Sequence, residues 1–524
     1  MFDRLSRNLR LRIQSLRRDQ PRMAGLLAVL VGLALRWWSV QRARFSAEES
    51  WFWSVGRDIA TGSNFPVLGH PISGTSARHP GAAFFWLLGL TQLPGPSPLR
   101  AYAMVSFAGL LVVVPLAVAI SKAFDRETGL AFLILSALSP WWIVYTNSAW
   151  PSYLTPTLCS LLIAWLPSLA GSPRPRLQAA LIFLLVIGFQ IHLSALHYCL
   201  IALVTFIVWR PKLTRPMAIG LILGCLCYLP YLVYEARTGF ANTIAIAHRS
   251  QGEARSLYRL QGLLLYFLGF TTTDLSYLWN QGFWFPFDLV RFWRGAGVAQ
   301  TQTFFQNNGL APIAWLALVA SWILTGISWL YFARALWRRL RVNALAAANV
   351  VPFAFLTGVG GIVLLYALSG KGGYPHYVST ILPLAFLPPA FLIGRMFKHR
   401  IARWGAGFYI CLFTAGGLLG LRGYYAVDSR WSVQQTTAAV AFILDRTKSP
   451  EGQQLPFQLT FGFGPNWPSS YRLIAQYVFH KPFLATDVGA RAFRIDLRGP
   501  GDVAELSERN LILPSITVHA TARE

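Results

Sequence analysis

Residues 23–58 read "MAGLLAVLVGLALRWWSVQRARFSAEESWFWSVGRD", an apolar run followed within a few residues by two adjacent acidic residues. The first eighteen residues are long and apolar enough to cross a bilayer as a helix. Trp51 and Trp53 are typical of the membrane–water interface. Glu48 and Glu49 therefore lie at a membrane edge, in a chain that has only 20 acidic residues among 524.

The composition of the whole chain is that of a polytopic membrane protein. Apolar residues make up 54% of it, charged residues 13%, and the mean hydropathy is +0.45. A soluble protein of this length could not bury so much apolar surface. The formal charge of +26 could indicate a nucleic-acid partner, but the basic residues gather in short segments between apolar runs, as membrane topology requires. We therefore expect membrane lipids, and no nucleic acid, as partners.

Eleven apolar runs are candidate membrane spans. They lie near 23–40, 100–120, 129–145, 152–169, 177–191, 195–209, 217–234, 311–333, 345–368, 377–394 and 402–421. Five short segments between runs contain 15 Lys and Arg, whereas three loops at the opposite ends contain one, Lys371. Because basic loops stay in the cytoplasm, this asymmetry predicts eleven transmembrane helices with the N-terminus cytoplasmic and the C-terminus extracytoplasmic.

The predicted architecture is an all-α polytopic membrane domain, residues 23–421, with a large first external loop that carries interfacial helices. Residues 1–22 form a basic cytoplasmic segment. Residues 422–524 are less apolar and contain Pro and Gly turns, which predicts a small extracytoplasmic α+β domain. In 235–310 we expect no crossing, since its apolar stretch "LQGLLLYFLGF" is too short.

The two adjacent glutamates can be given different roles. Ser46 and Glu49 have the spacing of a capping box, which would begin a helix that stops near Gly62. Glu49 is therefore either structural or catalytic. Glu48 has no capping duty, and a helix N-terminus favours its charged form, which suits a general base; a solvated first-turn acid is the alternative. We take both glutamates as candidate catalytic residues.

Other polar residues collect in the loops predicted to face outward. Lys371 stands beside three glycines that would let the backbone approach a ligand closely. His192 could equally be a packed core histidine, and Arg78 with His79 could be an interfacial anchor. The candidate substrate-binding residues from this face are Arg78, His79, Asn147, His192, Lys371 and His376. No spacing of His, Cys and carboxylates indicates a metal site, so none is expected.

The motifs resemble those of the C-type polytopic membrane glycosyltransferases of the protein O-mannosyltransferase and aminoarabinose-transferase group, glycosyltransferase family 39. That family follows its first span with an Asp-Glu pair and then a "HPPLYYWLLAL"-like stretch. Here the matching stretches are "AEESWFWSVGRDIATG" and "RHPGAAFFWLLGL". The stretches "LSALSPWWIVYTNSAWPSYLTP", "FQIHLSALHY", "YLPYLVYEARTGFANT" and "KGGYPHYVSTILPLAFL" follow in the same order. Two departures are Glu48 in place of the Asp and Gly81 where a second proline is common.

The resemblance implies transfer of a sugar from a polyprenyl-phosphate donor to an acceptor lipid, glycan or protein on the extracytoplasmic face. It implies Glu48 as the base. The residues implied around the donor are Lys371 and His376, then Arg78 and His79, at the phosphate, and His192, Asn147 and Tyr377 at the sugar. It implies no cofactor and leaves a divalent cation open, and it favours a bacterial inner membrane.

Two other classes of protein fit the same composition. A transporter or lipid flippase would also be polytopic, although such proteins usually place ionisable residues within their spans. A non-catalytic scaffold would result if Glu48 in place of Asp abolished activity. Both alternatives stay open at the level of sequence.

Overall fold

A computed structural model of the chain is predominantly helical. It describes residues 22–72, 75–170, 174–248, 267–273, 275, 311–369, 378–428 and 432–447, and short stretches between 453 and 522. Lys371, His376 and Tyr377, and most of the predicted external loop 235–310, lie outside the described residues.

The described part of the chain contains the following helices in order. They are α1 (Arg22–Val40), α2 (Ala47–Thr61), α3 (Ala83–Gln92), α4 (Pro98–Leu111), α5 (Val113–Ala123), α6 (Arg126–Leu138), α7 (Pro140–Tyr145), α8 (Pro151–Trp165), α9 (Pro167–Ala170), α10 (Pro175–Ile191), α11 (Ala195–Trp209), α12 (Arg215–Arg237), α13 (Ala241–His248), α14 (Ala311–Asn343), α15 (Val350–Ser369), α16 (Leu382–Ala385), α17 (Leu387–Lys398), α18 (Arg400–Asp428) and α19 (Val433–Arg446).

Among the described residues, eight helical segments are long and apolar enough to cross a membrane, so the polytopic membrane character is confirmed. They correspond to α1, α4 with α5, α8 with α9, α12, α14, α15, α16 with α17, and α18. The other predicted spans fall on shorter helices. The helices α10 and α11 have 17 and 15 residues, and the run near 129–145 divides into α6 and α7. The total of eleven spans and the orientation stay predictions.

The break between α6 and α7 has a local cause. Pro140 has no backbone N–H and suits the first position of a new helix rather than the continuation of an old one. Ser139 caps that new helix, since its hydroxyl accepts a hydrogen bond from the Trp142 backbone N–H at 3.1 Å. The chain therefore turns within the tip "SPWWIVYTNSAWPS".

Long apolar faces are left uncovered by the protein itself. On α12 the exposed large apolar side chains are Ile219, Leu221, Ile222, Leu223, Leu226, Leu229, Leu232 and Val233. A contiguous apolar surface of this kind is unfavourable in water and fits contact with lipid acyl chains.

The described C-terminal elements are of mixed type. The strands β1 (Phe457–Phe461), β2 (Ala485–Thr486), β3 (Phe493–Arg498), β4 (Asn510–Leu513) and β5 (Ile516–Ala522) form one sheet in the order β2-β1-β3-β5-β4. Its β1–β2 and β1–β3 pairs are parallel and its β3–β5 and β4–β5 pairs antiparallel. The helix α19 lies against β4 and β5. That residues 422–524 form a separate extracytoplasmic domain stays a prediction.

The helices α6 and α17 pack closely along one contact. Lys398 forms a 2.8 Å ion pair with Asp125 at one end of it. A Cβ atom added to Gly394 would lie 2.7 Å from the backbone N and Cα of Thr128. Only glycine therefore lets the two backbones approach this far.

We expect Gly394→Ala to lower the free energy of unfolding by about 1–3 kcal/mol, because one of the two helices must shift. Gly407→Ala on α18 is the matched control, since a Cβ there meets nothing within 4 Å. The control should be neutral or stabilising by up to about 1 kcal/mol, as alanine is the better helix former. Thermal unfolding in detergent, followed by tryptophan fluorescence, measures both; equal melting temperatures would contradict the contact.

Candidate active site

The acidic pair begins α2 through the predicted capping box, which the structure confirms. The Ser46 backbone N–H donates to Glu49 Oε2 at 2.8 Å, and the Glu49 backbone N–H donates to Ser46 Oγ at 3.3 Å. The helix ends at Gly62, whose φ of 73° is left-handed. The local sequence thus sets both ends of the helix.

Glu49 is buried, and its carboxylate is held from two sides. Ser46 donates to Oε2, and the Ser148 hydroxyl, from the tip between α7 and α8, donates to Oε1 in a short hydrogen bond. Burial raises the pKa of Glu49, while the hydrogen bonds from Ser148 and Ser46 and the charge of Arg44 oppose that rise. This carboxylate therefore ties the first loop to the first tip.

Glu48 is exposed beside it. Loss of hydration and the neighbouring Glu49 raise the pKa of Glu48, and Arg44 opposes them. A carboxylate that is accessible and held above its ordinary pKa is suited to accept a proton. The structure thus places Glu49 in the capping box and leaves Glu48 outside it, as the sequence pattern predicted.

Asn147 lies behind this pair, where the first and last spans meet. Its side-chain N–H₂ donates to Ser39 Oγ and to Tyr425 Oη, both at 2.7 Å, and those two hydroxyls also hydrogen-bond each other. Ser432, just past α18, bridges to Arg44. Asn147 is buried with both of its N–H groups engaged by protein, an arrangement that positions neighbouring chain segments.

Arg78 connects the acidic helix to a second segment of the first loop. Its guanidinium lies over the Trp51 ring, 5.6 Å from the centroid, and its Nε donates to the Gly69 carbonyl at 2.9 Å. Its backbone is clamped by Asn242, whose Oδ1 accepts from the Arg78 N–H at 2.7 Å and whose Nδ2 donates to the Arg78 carbonyl at 3.0 Å. Trp51 is one helical turn from Glu48, so the two side chains lie on the same face of α2. The Arg78 guanidinium and the Glu48 carboxylate are therefore on one surface.

Three imidazoles stack next to this segment. The ring centroids of His70 and His79 are 3.7 Å apart, and those of His79 and His192 are 5.0 Å apart. All three side chains are buried. Burial, with the neighbouring His79 and Arg78, holds the pKa of His70 well below its usual value, so His70 is neutral at pH 7. Sequence analysis identified His79 and His192 but missed His70, because no local motif surrounds it.

The departure at Gly81 now has a physical explanation. Its φ is +99°, whereas proline requires about −65°. A Cβ added there would lie 2.5 Å from Oε1 of the fully buried Gln190. The position after His79-Pro80 therefore needs glycine, and Gln190 fills the space that another side chain would occupy.

The predicted site residues fall into three groups. Glu48 and Glu49 begin α2, Arg78 lies over Trp51 of that helix, and His79 and His192 stack in the cluster whose His70 meets Phe52. Asn147 lies on the far side of Glu49. The tip that holds Lys371, His376 and Tyr377 lies outside the described residues, so the roles of these three residues stay predictions.

Gly81→Ala should cost more stability than Gly62→Ala. Both positions have positive φ, which costs a non-glycine residue about 1–2 kcal/mol, but a Cβ at Gly62 meets nothing within 4 Å. The collision with Gln190 adds to the strain only at Gly81. Thermal unfolding in detergent compares the variants, and Gly81→Ala with Gln190→Ala should recover part of the difference; equal loss in the two single variants would refute the Gly81–Gln190 contact.

Comparison with solved structures identifies the fold. ArnT from Cupriavidus metallidurans bound to undecaprenyl phosphate matches with a TM-score of 0.53 and 12% identity, over 94% of this chain and 97% of that one. The same protein in the apo state matches with a TM-score of 0.53 and 13% identity over the same shares. An oligosaccharyltransferase of Archaeoglobus fulgidus, in complex with Zn and sulfate, aligns with 10% identity over 90% of this chain and 67% of that one. Its TM-score of 0.44 is too low to assign a common fold.

No protein-family model matches the sequence, and no curated protein matches it either. At 12% to 13% identity the similarity to ArnT concerns the fold and not the activity. The resemblance that the motifs predicted is thus confirmed at the level of the fold: the chain shares the fold of ArnT.

Proposed function

We propose that this protein is a membrane glycosyltransferase that moves a sugar from a polyprenyl-phosphate donor to an acceptor at one face of the membrane. The observation that carries the proposal is an exposed carboxylate, Glu48, on a helix whose Trp51 meets the cation of Arg78 and whose Phe52 meets His70, one of three stacked imidazoles. The fold shared with ArnT, crystallised with undecaprenyl phosphate, supports a lipid-phosphate donor.

Glu48 is the proposed general base. The oxygen of an acceptor hydroxyl forms a bond to the anomeric carbon of the sugar, and its proton passes to the Glu48 carboxylate. The bond between that carbon and the phosphate oxygen breaks, and its electron pair stays on the lipid phosphate. Glu49 is the less suitable base, because both of its oxygens already accept hydrogen bonds from protein groups.

The lipid phosphate gains negative charge as it leaves, so cations and N–H donors near it lower the barrier. Arg78 is the proposed cation within the described part of the site, held over Trp51 by its own hydrogen bond to Gly69. His79 is the proposed neutral N–H donor at this phosphate, and His192 lies next to it on the side of the sugar. Lys371 and His376 are proposed partners of the same phosphate, with Tyr377 towards the sugar, from the sequence alone. Asn147 acts by positioning Ser39 and Tyr425 rather than by contact with the sugar.

An apolar groove begins beside this cluster and suits the donor's first isoprene units. Its volume is about 450 Å³, and it lies between α10, α11 and α12. The lining residues are Leu185, Val186, Phe189, Cys199, Ala202, Leu203, Phe206 and Tyr228. Phe189 precedes His192 by three residues, a rise of about 4.5 Å along a helix. A phosphate near His192 would therefore leave its tail at the mouth of the groove.

The finer assignments follow from the sequence. The basic loops support a cytoplasmic N-terminus and an extracytoplasmic C-terminus, and the family resemblance favours a bacterial inner membrane. The acceptor is a lipid, a glycan or a protein. The alternative of a transporter or flippase is disfavoured by the fold shared with ArnT.

Glu48→Gln should abolish sugar transfer, by at least about 100-fold, because the amide cannot accept the proton. The substitution is nearly isosteric, so the yield of folded protein and the binding of the lipid donor should be unchanged. The measurement is transfer from a polyprenyl-phosphate sugar in liposomes, read by mass spectrometry of the product.

Glu49→Gln is the matched control, since glutamine retains an oxygen that can accept from Ser46. It should keep most of the transfer activity while lowering the melting temperature. If Glu48→Gln kept its activity and Glu49→Gln lost it, the base would be Glu49. If neither lost activity, the proposed mechanism would be wrong.

The pH dependence of transfer should report the surroundings of Glu48. Loss of hydration and the charge of Glu49 raise the pKa of Glu48 above its ordinary value of 4.5, and Arg44 opposes them. The base must be deprotonated, so kcat/KM should fall as the pH is lowered through a value above 4.5. The phosphodiester donor does not titrate in that range, which leaves the enzyme as the source of the limb. An acid limb at or below 4.5 would contradict the assignment.

A further inference from the structure

The stacked histidines bring three metal-ligating side chains together from separate parts of the chain. His70 and His79 come from the loop between α2 and α3, and His192 follows α10. One ring nitrogen from each lies within 4.8 Å of the others, and all three side chains are buried. Such a convergence is unusual for histidines with a purely packing role, which do not need to present nitrogens to one point.

Unsatisfied polar atoms mark the same place. Within the part of the chain that the structure describes, Nδ1 of His70 makes no hydrogen bond, and neither does the side-chain amide of Gln190 at its oxygen or its nitrogen. Gln190 is fully buried and lies against Gly81, two residues after His79. Buried polar groups of this kind usually have a bound ion or water as partner.

His192 is oriented by a chain of hydroxyl groups. Its Nδ1 lies 2.8 Å from Ser194 Oγ, which in turn accepts a 2.9 Å hydrogen bond from Thr380. Nδ1 also lies 3.1 Å from the Ser194 backbone N–H, so binding a metal through Nε2 requires the tautomer in which Nδ1 carries the proton and donates it to the Ser194 hydroxyl. Outer hydrogen bonds that orient the histidine ring are a regular feature of metal sites.

We propose that His70, His79 and His192 bind one divalent transition-metal ion of the Zn²⁺ class. Three imidazoles without a carboxylate favour Zn²⁺, Co²⁺ or Ni²⁺ over Mg²⁺ or Ca²⁺, which prefer oxygen ligands. Zinc–nitrogen bonds of about 2.0 Å require ligand nitrogens about 3.3 Å apart in a tetrahedral site, so the stacked rings must turn towards one another on binding. A fourth position stays open for water or an anion, near the Gln190 amide.

The metal site does not depend on the proposed transferase activity, and metal binding can be measured without it. The full-length chain, purified in detergent with an affinity tag that contains no histidine and stripped with a chelator, is titrated with Co²⁺. We expect about one equivalent of Co²⁺ per chain with the visible absorption bands of a tetrahedral or five-coordinate site. Zn²⁺ should displace the Co²⁺, and Mg²⁺ should not.

His70→Ala should abolish the bands or weaken Co²⁺ binding more than about tenfold, and His192→Ala should do the same. His399→Ala is the matched control, because this histidine is exposed at the end of α17, away from the cluster. The control should bind as the wild type does. Circular dichroism of each variant shows whether it has folded.

Three results would overturn the inference. The first is a folded wild-type protein that binds no Co²⁺ with such bands, which decides the matter even if a variant fails to fold. The second is a His70→Ala variant with the wild-type spectrum and affinity. The third is displacement of Co²⁺ by Mg²⁺, which would mean that oxygen ligands hold the ion instead of imidazoles.

Discussion

The buried carboxylate of Glu49 is the contact on which the arrangement around α2 depends. It accepts one hydrogen bond from the backbone of its own loop and one from Ser148 at the tip between two helices. A buried carboxylate without such partners would be very costly, so the loop and the tip must stay together. That constraint fixes the start of α2, and with it the direction in which Glu48 points and the face on which Trp51 meets Arg78.

Buried polar groups that hydrogen-bond one another also hold the ends of the spans together. Lipid tails are as apolar as the side chains of the helices, so burial alone gives membrane helices little reason to associate, and polar contacts and close packing take a larger share. Asn147 joins Ser39 and Tyr425 from the first and last spans. Between helices that lie farther along the chain, Gly394 against Thr128 supplies close packing.

A few residues near these contacts are not needed to hold the helices together and can take part in catalysis or binding. Glu48 needs no partner to hold the helix, and the stacked histidines lie where a loop passes the end of α10. The fold is shared with ArnT at 12% identity. Such divergence is physically reasonable, because lipid-facing and core positions accept many apolar side chains, whereas the geometry around the start of α2 and the end of α10 depends on few residues.

The sequence by itself determined the membrane class, the eight long apolar segments of the described residues and the capping box of Glu49, in which Glu48 takes no part. Each of these depends on composition or on residues within a few positions of one another. Only the tertiary structure revealed His70 as the third member of the imidazole cluster and Gln190 as the reason for Gly81. His192 is 122 positions from His70 and Gln190 is 109 from Gly81, and no local pattern encodes contacts over such separations. They exist because the packing of α10 against the first loop brings those residues together.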